Sequence, residues 1–329
     1  MKILAIETSC DETSAALLES SRGKIKIVSS IVSSQINIHK NFGGVVPEVA
    51  ARCHSENILP VLQECLKKTK PKEVDLIAVT AGPGLITSLI VGVEAAKALS
   101  FAWKKPLMAV NHMYGHMAAN FLEKVQFPAV CLIVSGGHTE IIFLKNYLQF
   151  VKVGQTVDDA AGEAFDKVAK LLNLGYPGGP IVSKMASAGN PRFSLPRPML
   201  KEDNFNFSFS GLKTAVLYQA QKLDLKKEKN VVDMCASFEE AAVEVLTVKT
   251  IKAARKLKAK TVMMAGGVAA NRKLREILKK ETEKTGRKFL VPEFSLCTDN
   301  AAMIAIAASF LKKKSDWKKI QADPNWELK

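Results

Sequence analysis

The same order of elements occurs twice along this chain of 329 residues, and that repetition restricts its fold more than any single motif. Residues 3–7 read as a strand, 8–13 as a small polar turn, 14–18 as the returning strand and 25–32 as a third strand. The pattern returns at 129–134, with Ser135-Gly136-Gly137 as the turn, 139–144 as the returning strand and 150–154 as the third. Each trio is followed by a strand–glycine–helix unit. Residues 75–80 turn through Gly82-Pro83-Gly84 into an apolar helix, and 261–265 turn through Gly266-Gly267 into a helix starting near Ala269. Between these lie a helix over 47–68 that Pro60 is expected to break, and a short strand at 107–110 that feeds another helix. Helices are also expected at 159–172, 210–223 and 231–258, a short strand at 289–291, and a closing helix at 298–312 capped by Lys312-Lys313-Lys314. A duplication on this scale predicts two α/β domains. Facing each other, they would aim both hairpin turns and both glycine turns into one cleft, the place where open α/β sheets bind phosphate-bearing ligands.

Composition narrows the class. A chain of this length with 47% apolar residues can bury two cores. Its most apolar stretch, 85–103, contains Glu94 and Lys97, which a bilayer would penalise, so it reads as a core helix with no membrane partner. Six scattered cysteines without a Cys-x-x-Cys suit reduced thiols in the cytoplasm. Lysine and arginine outnumber acids 47 to 32, a formal charge of +15. Such a field suits a polyanion such as nucleic acid, and equally suits simple solubility. The basic runs lack interleaved aromatic residues, so any nucleic acid would be held mainly through its phosphates.

Candidate chemistry concentrates in a few places. His112 and His116 are four residues apart in Asn111-His112-Met113-Tyr114-Gly115-His116, a spacing that puts both imidazoles on one helix face. In zinc proteases of the His-Glu-x-x-His kind a glutamate follows the first histidine, and here that residue is Met113. An unsupported pair is more often two helix histidines with ordinary hydrogen bonds. Asp299, in Thr298-Asp299-Asn300, would complete a two-histidine, one-carboxylate set suited to iron(II) or zinc. Asp11 and Glu12, in the first hairpin turn, are either solvated turn residues or a general base. Asp166 suits ribose hydroxyls, with an exposed helix charge as the alternative. Gly136-Gly137, Gly266-Gly267 and the loop Leu174-Gly175-Tyr176-Pro177-Gly178-Gly179-Pro180 offer open backbone to an anion or nucleotide.

Together these segments resemble the TsaD family of tRNA adenosine threonylcarbamoyltransferases. The resemblance is carried by Ala5-Ile6-Glu7-Thr8-Ser9-Cys10-Asp11-Glu12-Thr13-Ser14, Gly43-Gly44-Val45-Val46-Pro47-Glu48, Gly82-Pro83-Gly84-Leu85, the histidine segment, and Val134-Ser135-Gly136-Gly137-His138-Thr139. It continues through Gly175-Tyr176-Pro177-Gly178-Gly179-Pro180, Phe207-Ser208-Phe209-Ser210-Gly211-Leu212-Lys213-Thr214, Gly266-Gly267-Val268-Ala269-Ala270-Asn271, and Cys297-Thr298-Asp299-Asn300-Ala301-Ala302-Met303. The runs occur in order over essentially the whole chain, and their combination is specific.

The resemblance implies an α/β chain of two duplicated ribonuclease-H-like lobes of the actin/Hsp70/sugar-kinase superfamily around a central nucleotide cleft. Residues 1–127 would form the first lobe, 128–298 the second with its adenylate-binding loops, and 299–329 a helix and tail packing back on the first. It implies transfer of L-threonylcarbamoyl from threonylcarbamoyl-AMP to N6 of adenosine 37, in tRNAs reading codons that begin with A, with release of AMP. His112, His116 and Asp299 would bind a divalent metal, iron(II) first, with zinc or magnesium as alternatives. Ile133, Val134, Ser135, Gly136, Gly137, Asp166, Gly179 and Asn271 would hold the adenylate, while Ser183 stands where many members carry an acid. The metal would grip the phosphate, and Asp11 or Glu12 would accept the proton of the attacking amine. TsaB and TsaE would be partner proteins beside the tRNA, in the cytoplasm. The rival readings are a kinase or ATPase on the same fold acting on a small molecule, and a metalloprotease.

Overall fold

The computed structural model describes residues 1–21, 24–311 and 316–328. The chain divides into two compact units, Met1–Lys124 with Pro292–Lys329, and Val125–Val291. The first break falls just before Gln126, whose backbone exchanges hydrogen bonds with the Thr261 side chain at 3.1 and 2.8 Å and so ties it to the second unit.

In the first unit, β1 (Lys2–Glu7), β2 (Glu12–Ser21) and β3 (Lys24–Ser34) form an antiparallel meander. After a short helix α1 (Ile36–His39) and a long α2 (Pro47–Leu66), β4 (Leu76–Gly82) pairs in parallel with β1. Helix α3 (Ile86–Trp103) leads to β5 (Leu107–Asn111), parallel to β4, and then to α4 (His112–Ala118). The sheet order is β3-β2-β1-β4-β5. Period-two alternation sends Leu4 and Ile6 of β1 into a core with Ile58, Leu62, Val93 and Ala96 of α2 and α3.

The second unit repeats this topology. Strands β6 (Ala129–Val134), β7 (Thr139–Asn146) and β8 (Gln149–Gln155) are antiparallel, and helices α5 (Ala161–Leu171), α6 (Gly178–Ala186), α7 (Ser210–Ala220) and α8 (Glu228–Lys256) follow. Then β9 (Thr261–Ala265) pairs in parallel with β6, α9 (Arg272–Glu283) crosses over, and β10 (Lys288–Leu290) pairs with β9. The order β10-β9-β6-β7-β8 has the connectivity of the first sheet, so the repeated grammar of the sequence is a repeated fold. The chain then returns to the first unit as α10 (Ala301–Phe310), whose residues 301–308 are all fully buried against β1, β2 and α4.

Three local expectations change. Helix α2 runs unbroken through Pro60, because Pro60 and Glu56 both lie on its exposed face and the carbonyl that loses its partner can turn to water. Glu12 belongs to β2 rather than to the turn, and both Asp11 and Glu12 are buried, at 9% and 8% exposure, so neither is a solvated turn residue. A short 3-10 turn, Gly267–Ala270, separates Gly266 from α9, which begins at Arg272. Helix α3 is, among the described residues, the one helix long and apolar enough to cross a membrane, and its Leu89, Gly92, Val93 and Ala96 are buried within the first unit. The lysines expected to cap the closing helix, Lys312-Lys313-Lys314, lie outside the described residues.

Candidate metal centre and nucleotide loops

Asparagine caps aim the polar groups of both units. Asn111 ends β5 and starts α4, its Oδ1 accepting from the backbone N–H groups of Met113 and Tyr114 at 2.9 and 3.2 Å. That fixes the first turn of α4, so His112 and His116 project from one face with ring centroids 4.6 Å apart. Asn300 caps α10 in the same way, accepting from Met303 N at 2.8 Å, and presents Asp299 just ahead of the helix. Helix α10 approaches α4 at Gly115, where an added Cβ would stand 2.6 Å from Ile304 Cδ1.

This approach closes a three-residue cluster. Asp299 Oδ1 lies 3.1 Å from His116 Nε2 and 3.5 Å from His112 Nε2, and ligand atoms of all three lie within 4.8 Å of one another. His112 Nδ1 sits 3.1 Å from Glu7 Oε2 and 3.0 Å from Ser9 Oγ. An ionised carboxylate only accepts, so Nδ1 carries the proton and Nε2 is the nitrogen turned toward Asp299. His116 Nδ1 is buried without a partner, leaving its Nε2 as the engaged atom.

Electrostatics favour a cation there. Burial works against a charged His112, yet the carboxylates of Asp299 and Glu7 outweigh it and push its pKa up to about 9. Burial likewise opposes ionisation of Glu7, and the neighbouring His112 ring reverses this and holds the carboxyl below its usual range. Glu12 is pushed up to about 10 by burial and by the charges of Asp299 and Asp11. The carboxylates of Glu7 and Asp299 beside the two imidazoles supply the negative charge a cation needs, and a facial two-histidine, one-carboxylate donor set suits iron(II) or zinc. The residues present fit a metal.

The second unit gathers the remaining candidates along one chain of contacts. Ser135-Gly136-Gly137 turns at the end of β6, Ser135 N donating to His138 O at 2.8 Å, with both glycines exposed. Ile133 and Val134 are fully buried in the strand beneath. Gly162 N donates to Ser135 O at 3.1 Å, and a Cβ on Gly162 would fall 2.6 Å from that oxygen, so α5 must start on this turn without a side chain. One turn along α5, Asp166 Oδ1 accepts from Gly178 N at 2.7 Å and anchors the start of α6. Gly179 and Ser183 follow on α6. Asn271 Nδ2 donates to Ser183 Oγ at 2.6 Å and to Glu239 Oε1 at 2.7 Å, while its Oδ1 caps α9 through Leu274 N at 2.8 Å. At Gly136, Gly137, Gly179 and Gly267 an added Cβ would meet nothing within 4 Å, so these backbones lie open to a ligand.

The sequence of residues 26–306 matches the family model of TsaD, tRNA N6-adenosine threonylcarbamoyltransferase. The chain belongs to the TsaD family. Proteins bearing that description from Syntrophomonas wolfei, Thermosipho africanus and Bacillus subtilis are 52%, 50% and 49% identical to it. Those matches cover 94%, 100% and 95% of this chain, and 91%, 100% and 91% of the relatives. As a TsaD enzyme the chain is a transferase acting on N6 of a tRNA adenosine. Two solved structures share its fold. HypF from T. kodakarensis superposes with a TM-score of 0.62 at 14% identity, over 93% of this chain and 47% of its own length. Component A of (R)-2-hydroxyglutaryl-CoA dehydratase from Acidaminococcus fermentans superposes with a TM-score of 0.55 at 17% identity, covering 94% of this chain and 99% of its own. What these structures share with the chain is the fold, here two five-stranded α/β sheets of the same connectivity.

Sequence patterns missed two carboxylates of this TsaD chain. Glu7 closes the apolar run Ile3–Ile6 of β1, and an acid ending a buried run is the signal that marks it. Glu239 sits inside a long helix of mixed composition, where nothing in the sequence distinguishes it from the other acids of the helix.

Proposed function

We propose that the donor is threonylcarbamoyl-AMP and the acceptor N6 of adenosine 37, in tRNAs that read codons beginning with A, with AMP leaving. What supports the reading most directly is the convergence of His112, His116 and Asp299, within 4.8 Å, in a chain of this family. Iron(II) is the metal these ligands would hold, with zinc or magnesium as alternatives. When bound, the ion supplies Lewis acidity to a phosphate oxygen.

The chain's own residues supply the rest. Glu7 and Ser9 orient His112 through Nδ1. The open turn Ser135-Gly136-Gly137, which follows the buried Ile133 and Val134, presents the backbone N–H groups of Gly136 and Gly137 to an oxyanion. Asp166, Gly179 and Asn271 border the remaining open backbone and hold the adenylate against it. The adenosine N6 amine is a weak nucleophile because its lone pair is delocalised into the ring, so a base must take its proton as the bond to the carbamoyl carbon forms. Of the candidates Asp11 and Glu12, both buried beside Asp299, Asp11 is the acceptor for that proton, because Glu12, pushed up to about 10, keeps its own proton near neutral pH.

The basic surface, at a formal charge of +15, suits tRNA phosphates. TsaB and TsaE are the protein partners, and the cytoplasm is the compartment. The test is threonylcarbamoyl-AMP with unmodified tRNA and the chain, with and without TsaB and TsaE, followed by nucleoside analysis. Threonylcarbamoyl-adenosine and AMP should accumulate together. Absence of the modified nucleoside under complete conditions refutes the reading. Unchanged single-turnover transfer after Asp11→Asn with Glu12→Gln removes these two as the base.

A further inference from the structure

Glu239 is a carboxylate only half used by the protein. It is 4% exposed, inside α8. Its Oε1 accepts from Ser183 Oγ in a short hydrogen bond and from Asn271 Nδ2 at 2.7 Å, and Asn271 also donates to Ser183 Oγ at 2.6 Å. Among the described residues no lysine, arginine or histidine forms an ion pair with Glu239, and none donates to Oε2. Every other polar side-chain atom of this trio is taken up, Asn271 Oδ1 by Leu274 N. Nor does Oε2 belong to the fully enclosed atoms that lack a partner, so it keeps contact with solvent.

A buried carboxylate without a cation is unfavourable unless donors satisfy it. Here two donors clamp one oxygen and fix its direction, leaving the other as a rigid acceptor. The cluster adjoins open backbone: Ser183 lies one turn after Gly179 on α6, and Asn271 four residues after Gly267, both positions where a Cβ would meet nothing within 4 Å. A ligand that fills such a space and satisfies an acceptor-only group must bring hydroxyl or amine donors. Ribose brings two adjacent hydroxyls, and a carboxylate is the recurrent partner for them.

We infer that Glu239 is a specificity-determining residue of the nucleotide site: Oε1 positions Asn271 and Ser183, and Oε2 accepts a hydrogen bond from a ribose hydroxyl of the bound adenylate. This rests on the proposal that the second unit holds the adenylate. It assigns ribose selection to α8 and makes Ser183 a spacer between α6 and that carboxylate.

The test uses the full chain and three probes, AMP, 2′-deoxy-AMP and 3′-deoxy-AMP, titrated calorimetrically. Wild type should prefer AMP over at least one deoxy analogue by about ten- to hundredfold, the range for a hydrogen bond to a charged group. Glu239→Gln keeps an Oε1 that can accept from Asn271 and Ser183 but turns a donor toward the ribose. It should bind AMP about tenfold more weakly, bind that deoxy analogue unchanged, and discriminate by less than about threefold. If the glutamine variant does not fold, Glu239→Asp, which keeps the charge but withdraws it by one methylene, is read in the same way. Ser183→Ala should retain the preference. A wild type that binds AMP and the deoxy analogues equally, or a Glu239→Gln that discriminates as wild type does, overturns the inference and leaves the adenylate site standing. If AMP does not bind at all, or binds equally well after Gly179→Ala, the adenylate site itself falls and the inference with it.

Discussion

Replacing Glu7 by glutamine separates the orientation of the metal ligands from the stability of the fold. Oε1 accepts from Ser9 N at 2.6 Å, and Oε2 accepts from Thr80 Oγ1 at 2.5 Å and from His112 Nδ1 at 3.1 Å. Three donors meet a fully buried group that has only acceptors. Glutamine has one acceptor and one donor there, so in either orientation its NH2 faces a donor. At least one charge-assisted hydrogen bond disappears, about 1.5–3 kcal/mol, and a buried donor is left unpaired for about 1–3 kcal/mol more. The metal-free variant should therefore lose about 3–5 kcal/mol, seen as a lower urea midpoint at unchanged m. It should still fold without denaturant and bind zinc or iron(II) about 10–100-fold more weakly, because His112 has lost the partner that sets its ring. Wild-type metal affinity in a destabilised variant would show that Glu7 is a structural acid only. Unchanged stability and affinity together would refute the hydrogen-bond assignment itself.

Two further substitutions and one pH series complete the set. Gly179→Ala places its Cβ in open space on a helix, so stability should stay level or rise by up to about 1 kcal/mol while AMP affinity falls at least about tenfold; unchanged AMP affinity by calorimetry would contradict an adenylate at α6. Gly162→Ala instead drives a Cβ to 2.6 Å from Ser135 O and 2.8 Å from Gly136 Cα, and should cost about 2–3 kcal/mol in urea unfolding; a neutral outcome would mean that α5 does not rest on the turn. Asp158 accepts from Ser208 Oγ, Ser210 Oγ and Phe209 N at 2.5, 2.6 and 2.8 Å. Burial raises its pKa, and these donors outweigh burial and hold the carboxyl below its usual range. A depressed folded pKa contributes stability above the unfolded value and loses it as pH falls through the folded one. Asp158 is exposed, so Asp158→Ala should cost only about 1 kcal/mol at pH 7, with the gap to wild type closing below about pH 4. An equal gap at pH 3 would refute the charge-based account.

Much of this molecule could be read along the chain because its signals are local. Strand alternation, small-residue turns and the repeated element order needed only neighbouring residues, and the duplicated topology followed from them. The pair of His112 and His116 was legible for the same reason, since helix periodicity alone puts i and i+4 on one face. Pro60 misled because its consequence depends on which face of α2 meets water, and the covalent rule for proline does not contain that. For Asp11 and Glu12 the sequence left a solvated turn and a general base both open, because burial is decided by the tertiary fold, and their burial removes the first.

By itself, then, the sequence determined the elements, their duplication, the family and the two histidines on one face. Tertiary structure decided which acids meet them. Asp299 is brought to His116 by two asparagine caps and by α10 closing against Gly115, across a separation of 183 residues. Glu7 turns His112 from the C-terminal end of β1, and Glu239 reaches Asn271 and Ser183 from the middle of a helix that carries no motif. Local periodicity fixes direction within an element, whereas the charge state and ligand role of a carboxylate depend on burial and on partners supplied by other elements.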